Sequence, residues 1–181
     1  MKSKVLIFFF LINPILAPLN AGSNYLPLKK LKIGYLNNIA KFIEWDLPTS
    51  QSSIRFCVFR NSGLSSLAMK LLSERTIHNR PIEVVSLTGE ENISSCQLIY
   101  FSYHSRTQIE SYLKKVSRLP ILTAGDSQGF ASDLGIMRFY VETNKLRFEI
   151  NIDSLKRSGL DLSSEVLSLS KIRRDEKVID Q

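Results

Sequence analysis

Four short apolar segments, IRFCVF (54–59), PIEVVSL (81–87), QLIYFS (97–102) and PILTA (120–124), constrain this chain more than any other feature. They are rich in β-branched and aromatic residues, which suit a pleated, packed surface. After the first, Asn61 and Ser62 offer an N-cap to an amphipathic stretch that runs through Leu72. After the third, Ser105 and Gln108 stand at capping-box spacing before a second such stretch, which ends near Val116. Strands alternating with helices at this spacing predict crossover units and a mainly parallel sheet. QLIYFS is almost wholly apolar, as a strand covered on both faces must be.

The C-terminal part follows another pattern. IMRFYVE (136–142) and KLRFEIN (145–151) flank Thr143-Asn144, which predicts an antiparallel hairpin extending the sheet. Asn151 or Asp153 is placed to cap a short helix ended by Gly159, and Ser163 or Ser164 to cap another that runs to about Ile172. Ahead of the first strand, residues 28–45 read as one helix. Apolar positions 28, 31, 35, 39 and 42, widened by 36, 40 and 43, make its buried stripe, with Lys30, Asn37, Lys41 and Glu44 opposite. Pro48 stops the pattern near Asp46. Trp45, the single tryptophan, is thus expected at the helix end, packed over the domain's edge and partly exposed.

With 181 residues, 44% of them apolar, the chain is sized for one domain with a proper core. Residues 1–23 stand apart. Lys2 and Lys4 precede the apolar run VLIFFFLI, and Ala21-Gly22-Ser23 supplies small residues for cleavage, the pattern of a secretory signal peptide. Asn13, Pro14 and Pro18 interrupt the run, which argues against a membrane-spanning helix. Without that leader, 22 of the 24 basic residues remain against 17 acidic ones, a net charge of +5. The densest basic clusters, Lys29-Lys30-Lys32 and Lys171 to Arg174, lie far apart in sequence, so no nucleic-acid partner is expected. They suit a solvated face or mild attraction to anionic lipid. Cys57 and Cys96 remain in the exported part, where an even count favours a disulfide; two buried free thiols are the alternative.

Catalytic chemistry finds little support. His78 and His104 do not stand with the cysteines in the short paired spacing of structural zinc sites, and no G-x-S-x-G marks a serine nucleophile. Neither a metal nor a cofactor is expected. GDSQGFA (125–131) follows a buried strand, where ligands of parallel sheets bind, so Asp126, Gln128 and Gly129 are candidate pocket residues. The competing reading is a tight turn, since the Lys-Ser/Thr of a phosphate loop is missing. Arg147 and Glu149 share one strand face opposite Phe148 and Ile150, as a same-strand ion pair or as a polar contact surface.

In order and spacing, NIAKFIEW, RFCVF, NRPIEVVSL, CQLIYFS, PILTAGDSQGFA, GIMRFYVETNKLRFEIN and SGLDLSSEVLSLSKI resemble the YfiR-like family of small periplasmic proteins, over roughly residues 28–172. The resemblance implies an α/β sandwich, often a homodimer, without enzymatic activity. Its best-understood members repress an inner-membrane diguanylate cyclase by binding its periplasmic sensor domain. An OmpA-like outer-membrane lipoprotein relieves that repression by sequestering the repressor. By position, Asn38, Lys41, Phe42, Glu44 and Trp45 fall in the family's helix motif, and Gly129, Phe130, Arg147, Phe148, Glu149 and Asn151 in its later ones. Cys57 and Cys96 stand where members carry a cysteine pair. The chain departs at Asp46, where proline is usual, at Arg60-Asn61, in place of a glycine-containing turn, and in lacking a second cysteine pair.

The expected fold is therefore α/β, a three-layer sandwich whose mainly parallel sheet is extended by a C-terminal antiparallel hairpin, with a flexible charged tail over 173–181. The expected function is periplasmic repression of a diguanylate cyclase or another membrane sensor, with Lys41, Glu44, Trp45, Arg147 and Glu149 as partner contacts. A periplasmic small-molecule carrier or co-receptor for outer-membrane transport is the alternative, and a hydrolase the third reading.

Overall fold

The computed structural model describes residues 25–89, 93–102, 104–132 and 134–175; the expected signal peptide and residues 176–181 lie outside them. Four parallel strands form the centre of the sheet: β2 (Ile54–Phe59), β4 (Arg80–Leu87), β5 (Leu98–Phe101) and β6 (Leu122–Gly125). Helix α2 (Ser62–Leu72) links β2 to β4, and α3 (Arg106–Val116) links β5 to β6. Both helices start as their sequences require. The Asn61 side chain accepts from Leu64 N at 3.0 Å, and Ser105 N donates to Gln108 Oε1 at 2.9 Å.

The hairpin of β7 (Met137–Glu142) and β8 (Lys145–Asn151) joins β6 through a parallel β6–β7 pairing, Ala124 opposite Met137. Thr143 and Asn144 take left-handed backbone angles, as a two-residue hairpin turn requires. Asn151 caps α4 (Ile152–Ser158), and Gly159, at φ 74°, ends it. Two short strands of this sheet have no clear local signal in the sequence. β3 (Thr76–Ile77) pairs with β4, and β10 (Lys171–Arg173) pairs with β8 in parallel, giving the eight-strand order β10-β8-β7-β6-β5-β2-β4-β3. The helix expected to reach Ile172 is correspondingly short: α5 spans Ser164–Ser168. Residues 173–175, expected in a loose tail, are held: Arg173 pairs with Glu149, and Asp175 with Arg157 and Asn151.

Alternation along the strands builds two cores. Ile54, Phe56 and Val58 of β2 and Leu98 and Tyr100 of β5 pack with α1 (Tyr25–Ala40), α2 and α4. Cys57 and Phe59, with Ile99 and Phe101, pack with α3 on the other face. The expected three layers are present. The Cys57–Cys96 disulfide lies in the second core, its Cα atoms 6.0 Å apart. Closing a loop of 39 residues stabilises the fold by about 4 kcal/mol on the chain-entropy account.

Helix α1 corrects two expectations. It ends at Ala40, and Ile43 and Glu44 form a strand, β1, antiparallel to β9 (Asp161–Leu162). Pairing with a distant segment overrides the helical pattern there. The buried arc is also rotated. Ile33, Leu36, Ile39, Ala40 and Ile43 are buried together with Lys32 and Asn37, while Leu31 and Phe42 are each 46% exposed. Lys32 accounts for this, because its ammonium has a carboxylate partner deep in the fold.

Candidate functional site

The segment after α1 carries three of the expected contact residues. Lys41 and Phe42 turn the chain through bonds to the Asn38 and Ile39 carbonyls at 3.1 and 2.9 Å. Ile43 is then buried against the main core, Lys41 and Glu44 are exposed, and Trp45 packs half-buried against that core. The Trp45 Nε1 is buried with no hydrogen-bond partner among the described residues. Beside it, His78 and Asn79 make the tight turn between β3 and β4 with φ of 50° and 62°. His78 Nε2 donates to the Ile43 carbonyl at 2.9 Å, and Arg80 holds the following loop through the Pro48 and Gln51 carbonyls. Glu44, Trp45, Leu47, Ile54, His78 and Arg80 thereby line a depression of 330 Å³.

Phe42 opens onto a second depression, of 170 Å³, which it shares with Tyr35, Ile39, Phe148, Val166 and Leu169. Leu169 is 74% exposed. Ile172, on β10, is 46% exposed as well. Large apolar side chains left in the open on one stretch of surface mark interaction sites more often than chance placement. Sequence reading missed this groove, because it counted Phe42 and Tyr35 among the buried stripe and placed Leu169 inside a helix.

The other expected contacts separate. Arg147 is exposed, but Glu149 is buried, with Arg138 Nη1 3.1 Å from one carboxylate oxygen and Arg173 Nε 3.0 Å from the other. Glu149 therefore fastens β10 to the sheet, where Lys171 stands opposite it. Arg147 and Glu149 do share a strand face; β10 covers only the second.

The GDSQGFA segment divides likewise. The Asp126 side chain is 3% exposed; Lys32 Nζ lies 2.6 Å from its Oδ1, and the Tyr100 hydroxyl donates to Oδ2 at 2.8 Å. Its charge is spent on tying α1 to the ends of β5 and β6. Gln128 and Gly129 line a cavity of 20 Å³, room for a single water and too small for a metabolite. The glycines here serve packing: a Cβ at Gly125 would lie 2.3 Å from the Phe130 ring, and one at Gly135 2.4 Å from it.

The strand order reverses between β2 and β5, the usual place for a ligand in such sheets. Here Arg60 occupies it. At φ 46°, where glycine is the easier residue, Arg60 lays its guanidinium over the rings of Phe59 and Tyr112, at 5.1 and 5.7 Å from their centroids. It donates to the Tyr112 hydroxyl and the Thr88 carbonyl at 3.0 and 2.9 Å. His104 packs on Phe59, and burial, then the Arg60 charge, lower its pKa below the ordinary value. No group of three or more potential metal ligands occurs among the described residues.

Compared with known families, the chain is matched over residues 29–171 by the model described as YfiR/HmsC-like. The chain belongs to that family. A crystal structure described as a conserved domain protein from Vibrio cholerae O1 biovar eltor str. n16961 aligns at 10% identity with a TM-score of 0.48. It covers 80% of this chain, which spans 60% of that protein's length. The YfiR/HmsC-like match takes in strands β1 to β9 and helices α2 to α5 whole. Among the described residues, no helix is long and apolar enough to cross a membrane.

Proposed function

We propose that this protein is a periplasmic regulator that acts by binding: it represses an inner-membrane signalling protein, a diguanylate cyclase, by holding its periplasmic sensor domain in the inactive state. The family match over residues 29–171 carries this reading. Its contact surface runs from Lys41 through Phe42, Glu44 and Trp45 to Leu169, where an apolar groove adjoins a charged depression, the arrangement of an apolar centre with a polar rim. Arg147, exposed on the hairpin, is an outlying contact. No catalysis is assigned. Release follows when a competing partner, an OmpA-like outer-membrane lipoprotein, takes the repressor away, and a second copy of the chain completes the active form.

Repression demands preference for one state of the partner. Turning a mostly active sensor into a mostly inactive one requires about 10⁴-fold tighter binding to the inactive state. Deleting the gene is expected to raise cyclic di-GMP and surface attachment. A version lacking residues 1–23 should fail to restore the low level. Phe42→Asp and Leu169→Asp, at exposed positions, are expected to abolish repression while changing stability by no more than about 1 kcal/mol. Unchanged cyclic di-GMP in the deletion strain, with the cyclase expressed, would overturn the reading.

A further inference from the structure

Between α1 and α2 runs a groove of 310 Å³ that shares only Asn38 with the apolar depression described above. Its size falls within the range of small-molecule sites. Its polar lining consists of Lys30, Asn37, Asn38 and Arg75, with no acidic residue, and the remainder is aliphatic apart from Gly34. Lys30 and Arg75 are exposed and have no ion-pair partner among the described residues, so the groove carries two uncompensated positive charges. Asn37 is only 6% exposed, yet its Oδ1 has no hydrogen-bond partner among the described residues. An amide oxygen left in that condition is costly, and an incoming donor would relieve the cost.

Gly34 adds an independent observation. It stands inside a sixteen-residue helix, where glycine weakens the helix relative to alanine. Packing does not demand it: a Cβ built there meets nothing within 4 Å. What the missing side chain provides is open space over the backbone, between the two asparagines and the two cations.

We infer that this groove binds a small organic anion. Its carboxylate or phosphate oxygens sit between the Lys30 ammonium and the Arg75 guanidinium, whose planar fork suits either group. Its own N–H or O–H groups reach the Asn37 carbonyl after rotation of that side chain, and its body lies over Gly34. The aliphatic walls take the ligand's apolar part. This assignment does not rest on the repressor reading, and binding is measurable on the isolated protein.

The test is a titration of nitrogen-labelled protein, purified from the periplasm of an expressing strain, with glutamate, glucose 6-phosphate and, as the neutral control, glucose. Saturable shifts are expected at the Gly34 amide and at the side-chain amides of Asn37 and Asn38, with at least one anion and not with glucose. Which anion is stronger decides between carboxylate and phosphate. Gly34→Leu, which fills the groove, is expected to weaken binding at least tenfold while raising the melting temperature by about 2 °C through better helix propensity. Arg75→Gln, at an exposed position, is expected to weaken it about tenfold with no change in folding. The assignment is overturned if neither anion gives saturable shifts up to about 10 mM, a concentration that reveals even millimolar affinities. Equal shifts with glucose, or unaltered binding by both variants, overturn it as well.

Discussion

Along β2, Ile54, Phe56 and Val58 face α1 and α2, while Cys57 and Phe59 face α3. The same alternation feeds both sides of the sheet, yet the two sides are finished differently. On the α3 side the rings of Phe59 and Tyr112 lie 4.5 Å apart, Phe59 and Phe101 5.1 Å, and Phe101 and Phe130 5.9 Å. Gly125 and Gly135 leave room for Phe130, and a disulfide ties β2 to the segment that leads into β5. On the α1 side Tyr35 meets Phe139 and Phe148 edge-on at the longer separations of 6.3 and 6.1 Å, most of the remaining packing is aliphatic, one ion pair is buried within it, and three depressions of 170 to 330 Å³ remain open. A sheet with two apolar faces can thus close one with edge-on and tilted rings and leave the other open, the side on which the partner contact is proposed.

Breaking the closed face should have the largest effect. Replacing Cys57 and Cys96 together by alanine is expected to cost about 4 kcal/mol, or on the order of 10 °C in melting temperature, without abolishing the fold, since the apolar strands retain their pairing. Calorimetry of the variant made in the periplasm checks this. A loss below about 1 kcal/mol would erase the contrast between the faces.

Acid probes the same face more gently. The His104 pKa is lowered in the fold, so below its unfolded value of about 6.5 the unfolded chain binds the extra proton and stability falls as pH is lowered. Above that value His104 contributes no slope. His104→Gln is expected to flatten stability between about pH 7 and 5 in denaturant titrations. Asp175 acts in a lower window. Burial raises its pKa, but hydrogen bonds from Arg157 and Asn151 and the Arg157 charge outweigh that, so the net shift is downward. Its contribution is present above about pH 4 and lost below it. The smallest effect on stability is expected from Phe42→Asp and Leu169→Asp on the open face, whose melting curves should nearly overlay the parent's.

The parallel strands, their two crossover helices and the hairpin were legible because each rests on local patterns: apolar runs, Asn61 and the Ser105 capping box, and the Thr143-Asn144 turn. What stayed hidden depends on distant partners. The stretch around Ile43 continues a helical pattern and becomes extended because Leu162 lies opposite it. The segment Lys171–Arg173 becomes a strand because β8 is beside it. Glu149 loses its solvent for the same reason. Asp126 looked like a ligand group only while Lys32 was counted among the surface charges. Of the candidate contact residues, Lys41, Glu44 and Trp45 fell in one place because they adjoin in sequence; His78 and Arg80 joined them through a turn whose docking no local signal announces.

The Lys32–Asp126 pair has a consequence beyond cohesion. Helix α1 carries apolar side chains on two arcs, with Leu28, Leu31 and Tyr35 on one and Ile33, Leu36 and Ala40 on another. Hydrophobic burial alone barely distinguishes the two rotations about the helix axis. A buried ion pair of this kind adds little net stability over a well-packed apolar pair, but its absence from the wrong rotation, where one charge would be stranded, is prohibitive. The pair therefore sets the azimuth of α1. Replacing both partners, as Lys32→Met with Asp126→Leu, is expected to leave the melting temperature nearly intact while doubling or broadening the amide resonances of α1. The helix would then sample an orientation that turns the exposed Leu31 inward and shifts Tyr35 and Ile39, which line the apolar groove proposed as the partner contact.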